Sequence, residues 1–266
     1  MGEQTTDVLA FLGGTPTRLA ALKALCTGPI TKTALKNQLD TSRITLWRTL
    51  SEFDERGWIR ESDAGYEATA AGRIVVDRIS ALRTAMATVE DLADLLDWLP
   101  LEQMDFGIEH LAGAEVARPT PSDPQRPMRV ATRQVEQAAR FKILSHAFSP
   151  WVVDVVYDRV MAGDQSGEMI TSADVLEAFV ADPPIRGQLR DLIETDNFEY
   201  FQYSGSVPHI LVLLDDHRVG MGVDDDAGRP QAVFDIEDEV VREWAERTYE
   251  RYRSAATPVT PERFTV

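Results

Sequence analysis

Apolar residues in the N-terminal part of the chain recur at helical spacing and are cut into short runs by glycine and proline. Asp7 to Leu12 reads as a short apolar helix stopped by Gly13-Gly14, after which Thr15-Pro16 supplies an N-cap and a proline at the first helical position. A second helix runs to about Thr27 on Leu19, Leu22 and Cys26, with Ala20 and Leu25 beside them, and Gly28-Pro29 ends it. Thr31 or Thr33 caps a short helix carrying Ala34, Leu35 and Leu39, and Asp40-Thr41 forms the next turn.

The segment Ser42 to Arg56, SRITLWRTLSEFDER, has Ser42 as N-cap and a buried stripe of Leu46, Leu50 and Phe53. Its other face presents Arg43, Thr45, Trp47, Arg48 and Thr49 near the N-terminal end, side chains that bond phosphates or base edges, or stack. Glu52, Asp54 and Glu55 lie toward the far end, so the polarity suits a recognition helix entering a groove N-terminus first. After Gly57 the pattern switches to alternation through Trp58 to Glu61, turns at Ser62-Asp63-Ala64-Gly65, and resumes at Tyr66 to Ala68: a hairpin.

This order of elements resembles the winged helix-turn-helix regulators of the MarR, ArsR and TrmB-like groups, carried by TSRITLWRTLSEFDERGWI at 41–59 and by the pair Thr69 and Gly72 that opens the next helix. The resemblance implies a sequence-specific, double-stranded-DNA-binding transcriptional regulator. Arg43, Thr45 and Trp47 are expected on base edges, with Thr41, Ser42, Arg48 and Thr49 beside them, and Lys32, Lys36 and the wing from Arg60 to Ser62 on the backbone.

From Thr69 to Leu99 one or two long helices carry Ile74, Val75, Ile79, Leu82, Met86, Val89, Leu92, Leu95 and Leu96 at three-and-four spacing. Such a stripe packs either on the chain's own second domain or on a second copy, and a two-fold operator favours the homodimer. Pro100 ends it. Phe106 to Val116 suggests an edge strand, and Ala117 to Pro127 (ARPTPSDPQRP) an exposed connection.

Beyond it, elements alternate. Helices are expected at Thr132–Ala139, Pro150–Met161, Ala173–Thr195 with a break at Pro183-Pro184, and Glu237–Ser254. Strands are expected at Phe141–Ser145, Glu168–Thr171, Phe198–Tyr203, His209–Leu214, Arg218–Asp224 and Ala232–Phe234. The fold class is therefore α+β: a winged helix-turn-helix over 1–72, a linking or dimerisation helix region over 73–105, and an α/β domain with a central sheet over 106–266.

Residues 106 to 255 resemble, in element order, the effector domain of archaeal FilR-type methanogenesis regulators and, more distantly, the phospholipase-D-like sensor domain of TrmB-like regulators. True phospholipase-D enzymes carry His-x-Lys-x-x-x-x-Asp on the strand matched by His209; Leu211 stands at the lysine position and Asp216 at the aspartate. A leucine cannot hold the phosphate, so the domain is expected to be non-catalytic. Candidate effector contacts follow the apolar strands: Ser145, His146, Ser149 and Trp151, then Thr171 and Ser172, then Tyr203 and Ser204, with His209 added. Hydroxyls, imidazole and an aromatic platform suit a small polar metabolite such as a sugar derivative; helix capping is the competing role, above all for Ser149 and Ser172.

The formal charge of −17 changes the picture, because affinity for a polyanion rests on Lys and Arg. The charge is uneven: residues 1–60 hold eight cations against six anions, net +2, leaving −19 on the rest. Only Lys23, Lys32, Lys36 and Lys142 are lysines among 27 basic residues, and acid excess with scarce lysine is the balance of a halophilic protein, whose surface carboxylates are screened in multimolar salt by a Debye length of about 3 Å or less. Cys26 is the single cysteine and reads as a small core residue, excluding an intramolecular disulfide framework.

No apolar run of about 18 residues is present, so a soluble cytoplasmic protein is expected. No Walker loop, His-Glu-x-x-His or Gly-x-Ser-x-Gly occurs, and Asp224-Asp225-Asp226 with Gly228 lacks the ligand alternation of an EF-hand and reads as a solvated turn. Neither cofactor nor metal nor catalytic residue is expected. The competing function is a degenerate phosphodiesterase-like enzyme, or a protein-contact module, with a winged helix that binds no DNA.

Overall fold

A computed structural model describes residues 2–147 and 149–265, which divide within one helix into two compact units, Met1–Met86 and Ala87–Val266.

The first unit holds α1 (Gly2–Gly13), α2 (Pro16–Cys26), α3 (Lys32–Leu39), α4 (Arg43–Glu55), β1 (Ile59–Ser62), β2 (Gly65–Ala68) and most of α5 (Ala70–Asp91). Local chemistry sets these boundaries. The Thr31 hydroxyl accepts from Ala34 N at 3.3 Å to start α3, Asp40 closes it in the left-handed region at φ 43°, and the Ser42 hydroxyl accepts from Thr45 N at 3.0 Å to start α4. Thr15 has cap geometry ahead of Pro16 but its side chain makes no capping bond. Leu22, Leu25, Leu35, Leu46, Leu50 and Phe53 are buried together, each contributing about 1.5–3 kcal/mol relative to exposure. Phe11, Phe53 and Trp58 pack as an aromatic triad with centroids 5.9–6.1 Å apart.

The Thr69/Gly72 pair has a specific role. Thr69 donates from Oγ1 to the Gly57 carbonyl at 2.7 Å and from N to the Trp58 carbonyl at 2.9 Å, while its Oγ1 receives Gly72 N at 3.2 Å. This cap lays α5 against the end of α4, and a Cβ on Gly72 would sit 2.1 Å from the Trp58 carbonyl oxygen.

The second unit continues with β3 (Glu115–Ala117), α6 (Arg126–Gln137), β4 (Arg140–Ser145), α7 (Pro150–Met161), β5 (Ser166–Ser172), α8 (Ala173–Ala181), α9 (Pro183–Ile193) and β6 (Phe198–Tyr203). Then follow β7 (Ile210–Leu214), β8 (Arg218–Asp224), β9 (Pro230–Ile236), α10 (Glu239–Ala255) and β10 (Thr257–Pro258). The sheet runs β10-β6-β5-β4-β7-β8-β9-β3; β4, β5 and β6 are mutually parallel and every other pairing is antiparallel.

Strand alternation divides the core in two. Ile143, Met169, Tyr200 and Leu214 pack with α7, α8 and α9 on one face. Leu144, Ile170, Phe201, Leu211 and Leu213 pack on the other with α10 and the turns after α5.

Several boundaries differ from the sequence expectation. α5 stops at Asp91 and 92–99 form turns whose Leu92, Leu95 and Leu99 are buried. The expected edge strand is only Glu115–Ala117, preceded by a 3-10 turn at Ile108–Leu111. α6 begins at Arg126, inside the proline-rich stretch, because Pro127 sits in its first turn and is buried. No helix among the described residues is long and apolar enough to cross a membrane.

Candidate nucleic-acid interface and effector cavity

The N-terminal half of α4 is the conspicuous surface of the first unit. Ile44, Trp47, Arg48 and Ser51 fall at i, i+3, i+4 and i+7 on one side, with Arg43 flanking them. Ile44 is 82% and Trp47 64% exposed. Arg43 and Arg48 are exposed and in no ion pair among the described residues, whereas Glu52, further along, meets Arg18 at 3.4 Å. Ile44 was not anticipated, although its spacing from Trp47 and Arg48 would have placed it on their side.

Other expected contacts are placed differently. Thr49 is 4% exposed and lies on the inner stripe with Leu46, Leu50 and Phe53, since it is one residue from Leu50 and three from Leu46; it does not face outward. The Thr45 hydroxyl is engaged with the Ser42 hydroxyl at 2.8 Å, so both serve the helix start, with half-buried Thr41 just before them. Lys32 sits over the Tyr66 ring at 4.8 Å, and Lys36 is half-buried on α3. On the wing, Arg60 is paired with Glu67 at 2.7 Å and the Ser62 hydroxyl donates to the Gly65 carbonyl at 3.0 Å. Exposed Glu61 and Asp63 accompany them, so the wing is a weaker phosphate contact than its arginine suggests.

In the second unit a cavity of about 460 Å³ lies on the α6–α7 side of the sheet. Ser145 at the end of β4, Ser149 and Trp151 at the start of α7, and Thr171 at the end of β5 line it, four of the nine expected contacts. Their hydroxyls are already committed. Ser145 bonds the backbone of Ala147, Ser149 accepts from Val152 N at 3.4 Å as the α7 cap, and Thr171 pairs with the Tyr200 hydroxyl at 2.6 Å. His146 reaches the wall indirectly, through Nε2 at 3.2 Å from Asp224 Oδ2.

The remaining four are elsewhere. Ser172 occupies the N-cap position of α8 without a side-chain bond, and Ser204 is exposed in the loop after β6. Tyr203 packs on Tyr252, and His209 stacks on Trp244 at 5.9 Å, both on the α10 side. Of the remaining phospholipase-D positions, Leu211 is fully buried and Asp216 lies past the far end of β7, paired with Arg140. The expected turn at 224–226 is organised by Asp225, which accepts from Ala227 N and Arg229 N, each at 3.0 Å.

His209 is 3% exposed and neither ring nitrogen has a hydrogen-bond partner among the described residues. Burial, reinforced by electrostatic contributions from His146 and Arg251, lowers its pKa to about 4. The unfolded chain, with a histidine near 6.5, therefore binds more protons than the folded one between these values, and stability falls as pH drops through that window. Urea denaturation should show the wild type losing roughly 3 kcal/mol more than His209→Leu between pH 7 and pH 4. Equal losses would mean that His209 does not titrate this way.

The class these features define is a two-domain transcription regulator: a winged helix-turn-helix joined to an α/β domain with a cavity. Residues 124–255 match the family model described as methanogenesis regulatory protein FilR1, middle domain, and residues 6–91 match the model described as the HVO_A0261 N-terminal domain. Between them the two models take in most of the chain, which is similar to the FilR-type regulators over its C-terminal domain.

No curated protein matches the chain. Among solved structures, the archaeal chromatin protein TrmBL2, whose structure is described as showing a novel mode of DNA binding, is 14% identical over 97% of this chain and 100% of its own, with a TM-score of 0.43. The phospholipase D family member Nuc from Salmonella typhimurium is 9% identical over 56% of this chain and 98% of its own, TM-score 0.44. NucT from Helicobacter pylori is 11% identical over 55% and 98%, TM-score 0.44. With every score below 0.5, these are distant likenesses and say nothing of function.

Proposed function

We propose that the chain binds DNA sequence-specifically as a dimer, with the N-terminal half of α4 in the major groove, and that a small molecule bound by the C-terminal domain modulates that binding. The observation that carries this reading is the outer face of α4, where two exposed guanidinium groups, in no ion pair among the described residues, flank an isoleucine and a tryptophan held out in water. Single exposed apolar residues are ordinary, but this combination at the start of the second helix of a helix-turn-helix fits a nucleic-acid edge. Arg43 and Arg48 reach guanine or phosphate, Ile44 and Trp47 pack on thymine methyl groups or sugars, and Lys36 with Lys32 meets the backbone. The chain's −17 charge opposes indiscriminate binding, so base-edge contacts supply the selectivity.

Dimerisation is assigned to α5, where Leu82, Met86 and Val89 follow at i, i+4 and i+7 and are 45%, 60% and 42% exposed. The double variant Leu82→Glu/Met86→Glu is expected to sediment as a monomer and to lose more than about 100-fold in affinity for a two-half-site fragment, because each half-site then binds alone. A variant that remains dimeric would remove α5 from the interface.

A further inference from the structure

The cavity's wall is more informative than the residues first expected to line it. Gly220, Gly222 and Asp224 of β8 line the cavity on the α6–α7 side, and the missing side chains of the two glycines leave room for Gln134 and Val212 over Gly220 and for Ile210 over Gly222. Ile143, Ile210, Val212 and Met169 complete an apolar chamber, with half-exposed Trp151 at its rim. The space is of ligand size. It is also chemically one-sided: among the described lining residues Asp224 is the only charged one, its side chain is 9% exposed, and neither lysine nor arginine joins it. The hydroxyls of Ser145, Ser149 and Thr171 are bonded within the protein and the Gln134 amide donates to the Phe234 carbonyl at 3.4 Å, so no cationic side chain among the described lining residues balances the charge of a phosphate, sulfonate or carboxylate.

We infer that this cavity binds a neutral or cationic ligand with an apolar, aromatic or polycyclic body, oriented by one N–H or O–H group donating to Asp224, and that it excludes anions and phosphorylated sugars. The inference rests on the proposed effector role of the domain and replaces the polar metabolite that the sequence suggested. Apolar area removed from water supplies the affinity, and Asp224, backed by His146, supplies orientation and charge selection.

Two fluorescent probes test it on the full chain: N-phenyl-1-naphthylamine, neutral and carrying one N–H, and 1-anilinonaphthalene-8-sulfonate, the same aromatic body with a negative charge. The neutral probe is expected to bind at one site per chain, with energy transfer from tryptophan that falls in Trp151→Phe, and the sulfonated probe at least about tenfold more weakly. Ala131→Phe fills the chamber from the helix side at a half-buried position and is expected to weaken the neutral probe about tenfold or more. Should that variant misfold, Asp224→Asn decides instead, since it is expected to narrow the preference between the probes, which loss of structure alone would not do. Equal binding of the sulfonated probe, or neutral-probe binding unchanged in Ala131→Phe, overturns the inference. Binding of the neutral probe as described, with DNA affinity unaltered, upholds the ligand class and refutes only the effector role.

Discussion

Replacing Arg43 and Arg48 together with alanine is expected to abolish selective DNA binding while leaving the fold intact. Both side chains are exposed and neither makes an ion pair among the described residues, so their removal shifts stability by no more than about 0.5 kcal/mol. Each guanidinium contact to a base edge or phosphate is worth about 1–3 kcal/mol, so losing two costs about 30-fold or more in affinity. A mobility-shift titration on fragments that the wild type enriches from random duplexes reads the effect directly. Arg60→Ala provides the contrast. Its guanidinium already serves Glu67 on the wing, and affinity should change by only about 1 kcal/mol or less. If the double variant binds as the wild type does, α4 is not the recognition helix.

The second large effect falls on stability. Gly72→Val is expected to unfold the N-terminal unit, because its Cβ would stand 2.1 Å from the Trp58 carbonyl oxygen, a backbone atom that no rotamer change can move. The only relief is to displace α5 from the end of α4, which breaks the Thr69 cap on Gly57 and the packing of Phe11 and Phe53 on Trp58. Overpacking a core with flexible neighbours costs about 1–3 kcal/mol, and a fixed backbone neighbour puts this change above that range. Thermal denaturation should show an early transition for the N-terminal unit, with the C-terminal transition unmoved. A variant with wild-type melting would mean that the α4–α5 contact is not as close as described.

The first unit was largely legible because its elements are specified by local rules. Ser42 and Thr31 cap the helices that follow them, Gly65 turns the wing at φ 128°, and the Leu46–Leu50–Phe53 stripe is buried as its spacing requires. Thr49 was misplaced because a stripe on a globular helix is wider than its two or three largest members, and the residue beside Leu50 is carried inward with it.

What the sequence could not supply was tertiary override. Leu92, Leu95 and Leu99 continue the three-and-four spacing of α5, yet they are buried in the second unit's core as successive turns. Periodicity records which residues are buried, not whether the backbone stays helical to bury them. The same limit governed the cavity. Ser145 and Thr171 at strand ends led to it, but which face each residue serves depends on strand parity. His209 shares parity with Leu211 and Leu213 and turns to α10, while Ile210 and Val212 face the cavity. Counting by twos along Arg218–Asp224 puts Gly220, Gly222 and Asp224 in one set with Arg218, whose guanidinium is held by Asp235. That alternation was the signal available for the cavity wall.

The central claim is that α4 of each subunit of a dimer reads base edges in the major groove. Dimethyl sulfate footprinting of an enriched fragment tests it most directly, because guanine N7 lies in that groove. The account predicts N7 protection in two half-sites about 10 base pairs, or a multiple of one helical turn, apart, lost in the Arg43→Ala/Arg48→Ala variant. A bound complex with every guanine N7 as reactive as in free DNA would contradict it.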